Sequence, residues 1–151
     1  MGLDMNLVGT HYCSEHHKDK GLERPKLDDP LFSYDVSEYK VDLGYWRKHA
    51  DLHGYIVNTF AEGSDNCQKI ELDENDLDKI IMAIREDKLV KDHSGFFFGN
   101  STEFGYYNEE EKSYAISCFE KAKEFIQEGQ RQYEKYKLYI QPRAIYYRAS
   151  W

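Results

Sequence analysis

Proline and cysteine are scarce in this chain of 151 residues, with 3 of each, and Cys13, Cys67 and Cys118 stand far apart. An odd set without a close pair supports neither a disulfide scaffold nor the ligand spacing of a zinc site. The densest candidate, "HYCSEHH" with His11, Cys13, His16 and His17, contains no CxxC or HxxxH and is expected to be a solvated loop without a metal. Long apolar runs are missing too. No stretch approaches the ~20 residues of a membrane helix, and the opening "MGLDMNLVGTHYC" carries Asp4 where a signal peptide would be apolar. Gly2 is not followed by the serine or threonine that a myristoylation signal needs at the sixth position. The expectation is a reduced, cytoplasmic protein with no membrane contact and no cofactor.

An excess of positive charge is also absent. Twenty Lys and Arg against 28 Asp and Glu leave a net charge of −8, which opposes binding to a phosphate backbone. Long nucleic acid is therefore not an expected partner, whereas a local basic pocket for a small anion, or an acidic face for a protein, is compatible with this balance. Complete catalytic motifs are lacking as well: there is no nucleophile elbow, and GFFFGN has neither the spacing nor the lysine of a P-loop.

What the chain has in abundance is aromatic side chains, with 13 Tyr and 8 Phe. Tyrosine at this density serves a core or a binding face equally, since its ring gives area while its hydroxyl stays wet. The length fits one domain spanning residues 1–151, and such a domain typically buries ~68–70% of its unfolded surface.

Periodicity predicts an α+β fold: a mixed or antiparallel sheet with about three helices packed on one face. Leu3, Met5 and Leu7 alternate as a first strand. Residues 13–30 read as a polar loop or insertion, and Tyr39, Val41 and Leu43 as a second strand that Gly44 breaks. From Trp46 the period changes, with Ala50, His53, Val57 and Phe60 at helical spacing, and Gly63 ends the helix. A short strand follows "SDNC". Asp73 with Asp76 three residues on forms an imperfect capping box for a helix that buries Leu77, Ile80, Ile81 and Ile84. The Phe96–Phe98 run reads as a further strand. Asn108 then caps a long helix whose inner stripe is Tyr114, Cys118, Ala122, Phe125 and Gly129, with a break near Gly129 as an alternative to seven continuous turns. "RAIYYRASW" closes the chain as a strand, with Ile145 and Tyr147 on one side and Tyr146 and Arg148 on the other.

Four groups of residues are candidates for function. Arg47 and Lys48 are placed in the first turn of a helix, where cations oppose the macrodipole; either neighbouring carboxylates or an anionic ligand would account for them. His53 lies on the apolar stripe, as a core histidine or as a base. Cys67 is close enough in the pattern for a Cys–His pair with His53, although a lone cysteine is the commoner outcome. The fourth group is Phe96, Phe98 and Tyr106 with Tyr147, Arg148 and Trp151. Beside Arg47 and Lys48, these rings would stack a base and hold a phosphate. Strand alternation turns Phe97 away from Phe96 and Phe98.

The blocks "MGLDM", "GYWRKHADLH" with a following "DNC", "SGFFFGN" leading to "YY", and "YYRASW" occur in order from Met1 to Trp151. Together they resemble a family of small, mostly uncharacterised proteins of bacteriophages and prophages. The resemblance implies the host bacterial cytoplasm and roles such as counter-defence, host takeover or nucleotide metabolism, and it brings no established reaction. Three functions follow as expectations. The first is a homo-oligomeric binding protein that sequesters a nucleotide-like, phosphate-bearing signalling molecule. The alternatives are an acidic, tyrosine-rich inhibitor of a host protein, and a small nucleotide- or phosphoester-processing enzyme using His53 or Cys67.

Overall fold

The computed structural model describes residues 2–89 and 98–151. In chain order its elements are β1 (Asp4–Tyr12), α1 (Glu15–Asp19), β2 (Lys26–Asp28), β3 (Ser33–Asp35), β4 (Glu38–Arg47), α2 (Ala50–Phe60), β5 (Ile70–Leu72), α3 (Glu74–Arg85), α4 (Glu109–Lys135) and β6 (Arg143–Ser150). The fold is α+β. Four antiparallel strands make a sheet in the order β4-β1-β6-β5, and β2 and β3 form a separate hairpin.

Strand alternation divides the sheet into two faces. Leu3, just before β1, Met5 and Leu7 of β1, Trp46 of β4, and Ile145, Tyr147 and Ala149 of β6 point inward and are buried. Each such large side chain taken fully from water contributes roughly 1.5–3 kcal/mol. α4 crosses this face, with Phe119 stacked on Trp46 at 5.4 Å, while α2 reaches it through His53 and α3 packs against α4. Leu43 is an extra residue between the pairs Leu7–Gly44 and Val8–Asp42, a bulge in β4.

Local sequence signals act where they were expected. Both bonds of the Asp73–Asp76 capping box form, and Leu77, Ile80, Ile81 and Ile84 of α3 are buried. In β6, Ile145 and Tyr147 are inward while Arg148 is exposed. α4 runs unbroken through Gly129, where a Cβ would come within 2.7 Å of the Arg143 side chain, so glycine there lets the helix lie close to the start of β6.

Several expectations are corrected. β4 does not stop at Gly44: the residue continues the strand, and a Cβ there would approach the Trp46 ring to 2.7 Å and Cys118 to 3.0 Å. The helix predicted from Trp46 starts only at Ala50. Trp46 and Arg47 are strand residues, and Lys48, at a φ of 56°, makes the turn between β4 and α2. Residues 13–30 are not all loop, since they hold α1 and β2; in α1, Ser14 and His17 form a reciprocal cap and His17 is buried. Tyr114 is exposed rather than buried, because its hydroxyl reaches out to the backbone at the edge of β4. The strand expected at Phe96–Phe98 lies largely outside the described residues; Phe98 itself is in a turn.

Candidate functional site

Three distant segments meet beside the start of α2: the helix itself, the stretch Phe98–Tyr107, and the end of the chain after β6. Inward alternation along β6 places Tyr147 beneath α2 and brings Trp151 round to the same side. Trp151 packs edge-on against Phe98 with ring centroids 5.5 Å apart, and against His53 at 5.8 Å. His53 lies 5.6 Å from Phe98 and 5.9 Å from Tyr147. Of these rings, Trp151 is 39% exposed, whereas His53 and Tyr147 are each 1% exposed.

His53 is held at both ring nitrogens. Nε2 lies 2.8 Å from the Asp65 carboxylate and Nδ1 lies 2.7 Å from the Tyr147 hydroxyl. Burial, followed by the charge of Asp65, pushes the Tyr147 phenol well above its ordinary range. A protonated Tyr147 donates to Nδ1, which leaves the Nε2–H to donate to Asp65. This relay satisfies both ring nitrogens of His53. Asp65 is the one member with substantial contact with water, its side chain 24% exposed.

A second cluster locks the Phe98–Tyr107 stretch to the β4–α2 junction. His49 is the N-cap of α2, its Nδ1 accepting from the Leu52 N–H at 3.5 Å. The Ser101 hydroxyl lies 2.9 Å from the same Nδ1 and accepts from the Asp51 N–H at 2.9 Å. Burial pushes the His49 imidazole down to about 3, so that it stays neutral and Ser101 donates to it. The His49 ring lies flat on Tyr106, with centroids 4.0 Å apart. Tyr107 donates to the buried Asp51 carboxylate. Burial, reinforced by that carboxylate, raises the Tyr107 phenol far above its usual value.

The expected site residues thus separate into three sets. His53, Phe98, Tyr147 and Trp151 converge. Lys48 and Tyr106 border them: the Lys48 side chain fills the space beside Gly99, whose φ of 78° suits glycine, and its ammonium lies 5.9 Å from the Phe104 ring. Arg47 and Arg148 do not join. Alternation that turns Trp46 and Tyr147 inward turns both arginines to the opposite face of the sheet, where Arg47 is paired across from Asp4 and Arg148 from Asn6. Phe96 lies outside the described residues. Cys67 forms no catalytic pair with His53, whose nitrogens are engaged by Asp65 and Tyr147.

Sequence reasoning missed Asp65, Ser101, Asp51 and Tyr107. Ser101 bonds across a separation of 52 residues, and Tyr107 across 56, so no local pattern could reveal either. Asp51 alone carried a signal, as an acidic residue in the first turn of a helix. A separate groove of about 460 Å3 lies between β5, α3 and the start of β6, away from the rings; Glu71, Asp73, Glu74 and Asp76 make it unsuited to an anion. Among the described residues, no group of three or more His, Cys, Asp or Glu is arranged to hold a metal, and no helix is long and apolar enough to cross a membrane. No protein-family model matches the chain, and no curated protein or solved structure is significantly similar to it.

Proposed function

We propose that this protein binds a small, base-containing, phosphate-bearing molecule at the Phe98–Trp151 corner and sequesters it without transforming it. The observation that carries this reading is the meeting of Phe98, His53, Tyr147 and Trp151 from three separate segments, with the Trp151 ring partly open. A flat base stacks on such a ring at a gain of about 1–3 kcal/mol. Lys48, whose stem lies beside Gly99 and whose ammonium lies near Phe104, is the cation this reading assigns to the phosphate. The reading agrees with a role in counter-defence in a phage setting, where a captured signal no longer reaches its receptor.

Catalysis by His53 is disfavoured by the same geometry. A general base must reach the proton it removes, and this ring is buried with both nitrogens engaged. The test is calorimetric titration with linear and cyclic nucleotides, followed by chromatography of the recovered ligand. Trp151→Ala and Lys48→Ala should each weaken binding about tenfold, and Arg47→Ala, on the far face, should leave it unchanged. Cleaved nucleotide would show the enzyme reading to be correct. Absence of binding would leave protein inhibition as the better account.

A further inference from the structure

The β2–β3 hairpin stands away from the body of the molecule. Its turn is built from "DDPLF": Pro30 presets the corner, the Asp29 N–H donates to the Phe32 carbonyl at 2.9 Å, and the Asp29 carboxylate accepts from the Leu31 N–H at 2.9 Å. Every residue from Pro25 to Asp35 is exposed. A lone two-stranded hairpin is marginal in water, yet this one carries Leu27, Leu31, Phe32 and Tyr34 with 50–80% of their surface open. Exposed apolar side chains in such a cluster mark a contact surface.

A second exposed patch lies at the same end of the molecule. Tyr139 and Ile140, just after α4, are 79% and 62% exposed. Tyr139 is held out by stacking on His16 of α1, with centroids 3.9 Å apart, and α1 is joined to the hairpin by residues 20–25. Hairpin and patch do not cover one another within one chain, since both are open. Their charges are complementary. Residues 26–35 contain Lys26 against Asp28, Asp29 and Asp35, whereas residues 135–140 contain Lys135 and Lys137 and no acid.

We infer that two copies of this chain associate through a reciprocal exchange, the Lys26–Asp35 hairpin of each lying on the Tyr139–Ile140 patch of the other. The contact is isologous, so a two-fold axis generates it twice and closes the assembly at a dimer. Twelve large apolar side chains, six from each copy and each at least half exposed beforehand, supply surface on the scale of the ~1,000 Å2 that a specific interface needs. Asp28 and Asp29 meet Lys135 and Lys137, which offsets the repulsion between two chains of net charge −8, while Asp35 stays with Arg24 of its own chain. This surface shares no residue with the ligand corner, so the two proposals stand or fall separately.

Sedimentation velocity on the full chain, through the micromolar range, tests the exchange. The wild type should sediment as a dimer. Leu31→Ser with Phe32→Ser should raise the dissociation constant about tenfold or more while leaving the circular dichroism spectrum of the folded chain unchanged, because these side chains lie outside the core. Lys137→Asp should weaken the dimer, and combining it with Asp29→Lys should restore it. A wild type that stays monomeric, a dimer indifferent to both hairpin and patch variants, or a hairpin found to engage a different protein while the chain itself stays monomeric would each overturn the inference.

Discussion

His49 illustrates how one buried residue ties stability to pH. Its imidazole falls from 6.5 to about 3 through burial, so the unfolded chain takes up this proton well before the folded one as the pH drops. The stabilisation is therefore full above pH 6.5 and is lost between there and pH 3. A shift of that size corresponds to something on the order of 5 kcal/mol. His11 adds to the same window: burial, helped by the Arg143 guanidinium that donates to its Nδ1 at 2.9 Å, lowers it to about 4. Urea unfolding at pH 7 and pH 4 should show a large fall in stability for the wild type. His49→Asn keeps a side-chain oxygen for the cap but removes the titration, so it should narrow the difference between the two pH values. An unchanged difference would mean that carboxylates, not this histidine, govern the acid limb.

At the scale of elements, the instructive case is the free edge of β4. An unpaired edge offers its N–H and C=O groups to other chains. Here two tyrosine hydroxyls occupy alternate residues of that edge. Tyr106 accepts from the Arg47 N–H at 3.2 Å and donates to the Arg47 carbonyl at 2.6 Å, and Tyr114 does the same, at longer range, for Tyr45. This is why Tyr114 lies at the rim rather than in the core. Replacing both by phenylalanine should cost about 1 kcal/mol for each hydroxyl and should raise the aggregation rate on heating, measured by light scattering. Gly44 belongs to the same strand. Gly44→Ala places a methyl group against the Trp46 ring and Cys118, and should destabilise the fold by about 1–3 kcal/mol in a urea titration. A variant as stable as the wild type would show that α4 can shift outward at no cost.

Across the whole molecule, the end of the chain serves both fold and ligand corner, and the two roles can be separated. Tyr147 is buried in the core cluster and bonded to His53, so deleting residues 147–151 should abolish cooperative unfolding. Trp151 is more exposed and contributes its ring to the corner. Trp151→Ala should therefore lower Tm by only a few degrees while weakening nucleotide binding. A truncated chain with unchanged melting would show that β6 is dispensable after Tyr146.

Elements whose signals are local were legible before the fold was known. The Asp73–Asp76 cap, the apolar stripe of α3, the alternation of β6 and the continuity of apolar positions along α4 depend on neighbours three or four residues away, or on alternate residues of one strand. Tertiary structure decided the rest. "YWRK" shares helical spacing with the residues of α2, yet Trp46 and Arg47 extend β4 because the indole stacks on Phe119 and two tyrosines cap the strand edge. That choice reverses the site: in a strand Arg47 points away from Trp46, and the cation expected beside the rings lies on the other face of the sheet. His53, Phe98 and Trp151 were legible as aromatic or titratable candidates, and their rings do meet, though without the Arg47 and Arg148 that were expected beside them. Asp65, Ser101 and Tyr107 were not legible. A hydrogen bond is specified by the positions of two atoms, and when 52 residues of chain separate them, as for His49 and Ser101, only the folded path brings those atoms together.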